Sequence, residues 1–313
     1  MSLLDTFREH RPFPGQDPWI VPHEGSLLLV SSAGGNRRLV VRRFHDLDHM
    51  ERNSETVIWT PRGAGPGRQL WAPELHHVEG RWYVYFAASD GKMANHRSYA
   101  LVADDPLGPY EYLGPVCDPA HDVWSIDLTV FTHEGRLYAV WSGWENADDG
   151  FPQNLYIAPM SDPWTISGER RRLSTPEHDW EQSVAPVNEG PEVVRHPETG
   201  RLFLLYSADA SWTPAYKTGL LAWTGGEVTD PASWDKQELP WFTGGGHGCI
   251  VDAPTGSYFV YHRKVTDEPG WADREIRTTP LTWEDAGLPV AVPGLAPAAA
   301  GERTGMAAVP AQA

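Results

Sequence analysis

The stretch "APELHHVEGRWYVYFAAS", residues 72–89, carries the pattern that decides the fold. A polar residue, Glu74, opens a short apolar run. Gly80 breaks it, and a second apolar run rich in aromatic residues follows. Two such runs joined across a glycine read as a β-hairpin. The same order occurs four more times. Gly25 precedes "SLLLVSS", Gly135 precedes "RLYAVWSG", Gly200 precedes "RLFLLYSA" and Gly256 precedes "SYFVYHR", so the hairpin glycines lie 55, 55, 65 and 56 residues apart. A polar residue opens the run before each: Asp17 in "DPWIV", Glu74, Asp127 in "IDLTVF", Glu189 in "EGPEVV" and His247 in "GHGCIV", at spacings of 57, 53, 62 and 58.

A third strand follows each hairpin: "RRLVVRRF", "RSYALVA", "QNLYIAPM", "KTGLLAWT" and "REIRTTPLTW". Pro/Gly turns such as "DDPLGPYEYLG" and "SDPWTISG" then close several units. No amphipathic helix of any length interrupts the pattern. Five units of about four strands each predict an all-β, five-bladed β-propeller, a single domain over residues 1–290. The remainder, 291–313, is Ala/Pro/Gly-rich with nothing to bury and is expected to be a flexible tail.

Composition narrows the function classes. The formal net charge is −17 and most of the positive charge is arginine, which argues against nucleic acid as a partner. No run approaches the roughly 18–20 apolar residues of a membrane span, so no membrane role is expected, and the chain is expected to act as a monomer. "MSLLDTFREHRPF" lacks the basic-then-apolar order of a secretion signal, which gives a cytoplasmic expectation, or a secreted one if a signal has been removed. Cys117 and Cys249 permit at most one disulfide and are expected to be buried thiols. The 15 tryptophans exceed what a core of this size demands, and an indole face stacks on the C–H face of a sugar.

In a propeller the innermost strand of each blade lines the central axis, so the five polar openers are expected to converge at one mouth. Converging carboxylates repel one another and resist desolvation, which raises some of their pKa values and marks a site rather than a structural need. Glycoside hydrolysis asks for this: one carboxyl holds a proton for the leaving oxygen, and another is ionised to activate water. Glu192, three residues after Glu189, is expected on the opposite face of a regular strand. Trp71 and Glu74 open the second blade and Trp124 precedes Asp127, so each is a candidate for binding sugar, Glu74 with the alternative of a blade-junction partner. Arg263 in "YHRK" is a candidate to offset the carboxylates and to bind a sugar hydroxyl. Trp19 is expected in the core or the pocket wall.

With "QDPWIV", "WAPELHHVEGRWYVYF", "SIDLTVF", "NLYIAPMSDPWTISGE", "PVNEGPEVV" and "GGGHG" in this order, the chain resembles glycoside hydrolase family 43 over roughly residues 12–290. The resemblance implies a propeller enzyme that inverts the anomeric centre and acts on arabinose- and xylose-containing polysaccharides. It implies Asp17 as general base, Glu189 as general acid and Asp127 as the residue that tunes and orients the acid. His247 matches a histidine near the propeller axis that in relatives lies beside an ordered water or an ion such as calcium or sodium, although the chemistry requires no cofactor. Gly248 departs from the Asn or Ser that usually follows there. The stretch from "NLYIAPM" to "SADASWTPAYKTGLL" is most similar to the α-L-arabinofuranosidase branch, exo-acting enzymes on α-1,5-linked arabinan included. A β-xylosidase of the same family, a retaining fructan-type enzyme and a non-catalytic glycan-binding propeller are the alternatives; Gln16, where the fructan relatives carry Asn, weighs against the second.

Overall fold

A computed structural model describes residues 10–62, 66–284 and 287–291. They form five antiparallel sheets in chain order. The first blade is Trp19–His23, Ser26–Ala33, Arg38–Phe44 and Ser54–Trp59; the second is Arg68–Val78, Arg81–Ser89, Arg97–Ala103 and Glu111–Pro115. The third is Ser125–His133, Arg136–Gly143 and Asn154–Asp162 with two short strands, and the fourth is Asn188–Arg195, Leu202–Ala208, Lys217–Trp223 and Trp234–Lys236. The fifth is Gly246–Ala253, Gly256–Lys264 and Arg274–Trp283. Helix occurs in the described residues only as three-residue 3-10 turns. The protein is therefore the five-bladed propeller that the repeat predicts. Pro289–Ala291 is a short strand on Arg274–Trp283, and the rest of the expected tail lies outside the described residues.

Three of the hairpins turn on a Glu–Gly pair. Glu24, Glu79 and Glu134 have φ of 46°, 51° and 49°, and the glycines after them 70°, 82° and 74°. Two consecutive positive φ values are what a two-residue hairpin loop needs to follow the twist of its strands. Side chains from adjacent blades then interdigitate. Leu28, Val30 and Val41 pack on Leu75, Val84 and Phe86 between blades one and two, and Tyr138, Val140 and Ile157 pack on Leu204, Tyr206 and Leu221 between three and four. Blades five and one meet through Val251, Tyr258 and Val260 against Ile20, Leu27 and Leu29. The ring closes with the N-terminal strand Phe13–Pro14, which pairs with the third strand of blade five, a closure the sequence did not signal. Both cysteines are free. Cys249 is buried as expected, but Cys117 is half-buried, because it sits in the loop beyond Glu111–Pro115 rather than in a strand.

The inner strands are not regular. In blades two to five the inner strand bulges by one residue at a time, twice in blade two (Arg68 to Trp71 and Trp71 to Glu74) and once in each of the others: three steps along the inner strand match two on its neighbour, as in Ile126↔Ser142 to Thr129↔Val140 and Glu189↔Ser207 to Glu192↔Leu205. The residue inside the bulge has positive φ: Ala72 (40°), Asp127 (55°), Gly190 (52°) and His247 (47°), and Asp17 (46°) holds the equivalent place in blade one. This corrects the predicted register of the ring. Asp17, Asp127 and His247 are equivalent, but Glu189 stands one residue earlier than its ring position and Glu74 two residues later. A bulge re-aims side chains and leaves no trace in hydrophobic spacing.

The positions two beyond the bulge form a second, deeper layer: Trp19, Glu74, Thr129, Glu192 and Cys249. Its members are tied together. Cys249 Sγ accepts from Ile20 N at 3.2 Å, Glu74 hydrogen-bonds Thr129, and the Trp19 indole donates to Leu75 O at 2.9 Å. Glu192 is part of this layer, which corrects its expected placement. The extra residue in the bulge reverses strand parity, so an offset of three returns Glu192 to the side of the sheet that Glu189 occupies. Both its oxygens accept from Ile250 N, at 2.9 and 3.0 Å.

Burial pushes Glu192 up to about 8 and raises Glu74 well above the usual carboxylate range, with Asp127 and Glu192 adding to the latter. An unfolded glutamate titrates near ~4.3. Across the window from there to about 8 the folded chain holds a proton on Glu192 that the unfolded chain has lost, so this group lowers stability as pH rises. Glu192→Gln cannot titrate. Its melting temperature is expected to fall less between pH 5 and pH 8.5 than that of the wild type, as read by thermal unfolding at the two pH values. Equal falls in the two proteins would show that Glu192 ionises freely in the fold.

Candidate active site

At the bulge end of the axis lies a pocket of about 760 Å³ with walls from all five blades. Asp17, Asp127, Glu189 and His247 line it. The bulges explain why these meet. Each turns the end of an inner strand so that its side chain leaves the sheet toward the axis. Asp and His are among the few non-glycine residues that tolerate the left-handed region, and Ala72 and Gly190 occupy the other two ring positions with little or no side chain. A Cβ on Gly190 would stand 3.0 Å from the His247 ring, so that ring fills the space a larger residue would need.

Asp17 is mostly buried. Burial alone would raise its pKa, but the charges of His247 and Arg274 and a hydrogen bond with His262 outweigh it and hold the carboxyl far below the usual range. His247 Nδ1 is 3.6 Å and Arg274 Nη1 3.6 Å from Asp17 Oδ1. His262 Nδ1 lies 3.2 Å from the same oxygen and 3.1 Å from the Asp17 amide nitrogen. Burial lowers His262 to about 4, so its ring is neutral at pH 7 and serves one of those two atoms at a time. Asp17 is therefore ionised throughout the working pH range.

Glu189 and Asp127 have the opposite environment. Burial first and the charge of Asp127 second push Glu189 up to about 7, against the lowering effects of His247 and a hydrogen bond from Tyr216. Burial and the charge of Asp17 push Asp127 up to about 8, although Gly190 N–H donates to its Oδ2 at 3.0 Å. Ionising either member of this pair opposes ionising the other, so at neutral pH the two carboxyls retain at least one proton between them. The Gly190 bond also ties Asp127 to the backbone next to Glu189. One pocket thus holds a permanently ionised carboxylate and a carboxyl that keeps its proton to near pH 7, the pair that acid–base hydrolysis uses.

The expected sugar contacts separate into two groups. Trp71 and Trp124 line the pocket with Trp144, Trp212 and Trp271, five of the 15 tryptophans. Trp71 stacks on His96 with centroids 3.7 Å apart. Trp124 is buried against Trp144 at 4.9 Å, and its indole donates to Met93 O at 3.0 Å. Glu74 does not reach the pocket: it lies in the deeper layer, 2.8 Å from His76 Nε2. Arg263 also faces away, because it follows His262 by one residue and adjacent strand residues point to opposite faces. It pairs with Glu275 at 3.1 Å. The arginine beside the carboxylates is Arg274, which also contacts Gln16 and lies over the Trp271 ring. Arg274 opens the strand "REIRTTPLTW", outside the innermost strands, so no repeat position pointed to it.

His247, the expected neighbour of an ion or ordered water, is placed among carboxylates. Its Nδ1 faces Asp17 at 3.6 Å and Asp127 at 3.8 Å as a charge partner, and among the described residues no group of three or more His, Cys, Asp or Glu side chains could hold a metal ion.

Known proteins resemble this chain in sequence and fold. The family model described as "Glycosyl hydrolases family 43" matches residues 12–289. An "Extracellular exo-alpha-(1->5)-L-arabinofuranosidase" of Streptomyces chartreusis is 37% identical over 269 residues, 80% of each chain. "Alpha-L-arabinofuranosidase 43" of Humicola insolens is 34% identical over 293 residues, 87% of this chain and 60% of that one. The chain thus spans four-fifths of one relative and about three-fifths of the other. Among solved structures, the alpha-L-arabinofuranosidase from Lactobacillus brevis superposes with a TM-score of 0.79 at 32% identity, covering 88% of this chain and 92% of that one. A propeller with these matches across nearly its whole described length belongs to glycosyl hydrolases family 43.

Proposed function

We propose that the protein is an inverting, exo-acting α-L-arabinofuranosidase that releases terminal arabinofuranose from arabinan-derived oligosaccharides, α-1,5-linked ones included, or from arabinoxylan side chains. The observation that carries this reading is the opposite protonation of Asp17 and Glu189 on the walls of one pocket. The names of the relatives support arabinofuranose over xylose as the sugar. A glycan-binding propeller without activity has no use for one carboxyl held ionised and another held protonated in the same pocket.

In this reading the Asp17 carboxylate takes a proton from water as that water attacks the anomeric carbon. Glu189 gives its proton to the glycosidic oxygen on the opposite face as the C–O bond breaks. Asp17 also opposes the positive charge that builds on the sugar in the transition state. Asp127 acts through Glu189: ionising either carboxyl opposes ionising the other, which keeps a proton on the pair, and the bond from Gly190 N–H to Asp127 steadies the acid's backbone. The aromatic walls exclude water and hold the apolar sugar face. No step needs a metal or cofactor. Two relatives are named extracellular, which favours work outside the cell over a cytoplasmic location. Among the described residues no helix is long and apolar enough to cross a membrane.

Asp17→Ala and Glu189→Ala are each expected to lower arabinose release from arabino-oligosaccharides by at least about a hundredfold with circular dichroism unchanged. NMR of the first turnovers should show the β-anomer of arabinofuranose as the primary product. An α-anomer at first, or near-normal kcat in either variant, would overturn the assignment. The kcat/KM profile should fall on its alkaline side as Glu189 loses its proton, near 7. Asp127→Asn removes the carboxyl that competes with Glu189 for ionisation, so it is expected to move that limb to lower pH and to reduce kcat. An unmoved limb in Asp127→Asn would remove Asp127 from its role.

A further inference from the structure

The structure points to Tyr216 as a positioning residue of the reaction: we infer that its phenol fixes which oxygen of Glu189 bears the proton delivered to the leaving group. The inference deepens the proposed function and rests on Glu189 being the general acid. Tyr216 closes the loop before the strand Lys217–Trp223 and is 3% exposed. Its Oη lies 2.9 Å from Glu189 Oε1. Its ring stacks on His262 at 5.4 Å with the planes 24° apart, and His262 touches Asp17. One side chain therefore lies against the acid and against the histidine that holds the base.

The direction of the hydrogen bond follows from its neighbours. His247 N–H donates to Ser207 Oγ at 2.6 Å, and the Ser207 hydroxyl hydrogen-bonds the Tyr216 oxygen. Ser207 Oγ accepts from the backbone and donates to the phenol oxygen, which lowers the phenol's pKa, and the phenol's own proton goes to Glu189 Oε1. A protonated carboxyl has one carbonyl and one hydroxyl oxygen. If Oε1 accepts from Tyr216, Oε1 is the carbonyl and the transferable proton sits on Oε2. That proton passes to the glycosidic oxygen, the leaving sugar takes the electron pair of the broken bond, and Glu189 is left as a carboxylate that still accepts from Tyr216. Tyr216 keeps its own proton throughout, because burial raises the phenol well above its ordinary value.

The surrounding chain is built to hold this ring. A Cβ on Gly246 would stand 2.8 Å from Tyr216 Cε1 and 2.9 Å from Ser207 Oγ, so the glycine before His247 lets the strand lie flat against the phenol. Asp209, at the start of the loop, accepts from the amides of Val184, Ala185 and Ala210 at 2.8–3.0 Å. The other charged or titratable groups facing Glu189 are Asp127, His247 and Asp17; those facing Tyr216 are Glu189, Asp127, Asp17 and His262.

Tyr216→Phe removes the donor and leaves the ring. A hydrogen bond to the charged form favours that form, so the alkaline limb of kcat/KM is expected to move to higher pH. Release of arabinose from an arabino-oligosaccharide should fall roughly tenfold, a part of the about 10²–10⁴ that a general acid supplies, while hydrolysis of a nitrophenyl arabinofuranoside, whose leaving group needs no proton, changes by less than about threefold. Equal losses on both substrates with an unmoved limb would show that the ring only packs, and would overturn the inference. A fluorotyrosine placed at 216 alone keeps the ring and makes a stronger donor, so it should shift the limb to lower pH; no shift, or an upward one, counts against the inference even where Tyr216→Phe folds poorly. Glu189→Ala separates the two claims. Loss of both substrates to the same degree in that variant would overturn Glu189 as the acid. If it spares the nitrophenyl substrate, adding Tyr216→Phe to it should change nothing further, and an additional fall would refute the Tyr216 role alone.

Discussion

The site depends on one backbone device, the bulge in the inner strands of blades two to five, with Asp17 at the equivalent place where the chain enters blade one. A regular strand alternates its side chains strictly between faces, and a ring of regular strands would send consecutive residues into neighbouring blades rather than to the axis. The bulge breaks the alternation where the strand reaches the pocket. Asp17, Ala72, Asp127 and His247 hold their positive φ at a cost of about 1–2 kcal/mol each for a residue with a Cβ. Five inter-blade cores of Val, Leu, Ile, Tyr and Phe supply far more than that. The same device sets the acid and the base at different heights. Asp17 sits in the bulge position, while Glu189 sits one residue before it, with Gly190 taking the strained place behind it.

Three carboxyls in so small a space would be unworkable if their surroundings were alike. Asp17 receives Arg274, His247 and His262; Glu189 receives a hydrogen bond from Tyr216 and the field of His247, against the negative charges of Asp127 and Asp17. The asymmetry comes from blade five, which supplies His247, His262 and Arg274 on three successive strands, all on the side toward blade one. Its Gly244–Gly245–Gly246 run, part of the "GGGHG" motif, serves this crowding. A Cβ on Gly245 would stand 2.3 Å from the His262 carbonyl oxygen, and one on Gly248 2.1 Å from that of Val260. The glycines let the innermost strand lie close enough for its histidine to reach both carboxylates.

Periodicity carried most of the fold, because hairpin glycines and alternating apolar runs are properties of single residues at fixed offsets. Asp17 and Asp127 were legible for the same reason: both are polar where the period expects a polar opener, and they are true equivalents. Glu74 was misplaced because a bulge adds a residue without altering composition, so an opener two positions late has the same appearance as one in register. Glu192 was misjudged through the same hidden parity change. Arg263 and His262 show the complementary limit. They are neighbours in "YHRK", and only the register of Gly246 opposite His262 decides which of them faces Asp17. Tyr216 and Arg274 come from outside the innermost strands, where no repeat position announces them.

Closing the ring and holding the base are one event in this chain. The strand Phe13–Pro14 pairs with Ile276 and Glu275 of blade five, and Gly15 N–H donates to Arg274 O at 3.3 Å. Gln16 then contacts the Arg274 side chain, and Asp17 meets the same guanidinium before the chain enters blade one. Arg274 thereby touches the closure through its backbone and the catalytic carboxylate through its side chain, so the last blade cannot dock without forming the environment that keeps Asp17 ionised. A propeller is otherwise a set of blades each packed only on its two neighbours, and its weakest junction is the one that joins the two ends of the chain. Placing the base at that junction means that the contacts which close the ring also bring Arg274 to the buried carboxylate. Arg274, His262 and His247 all reach Asp17 from blade five, so the blade that closes the ring also supplies the partners that offset the burial of the base.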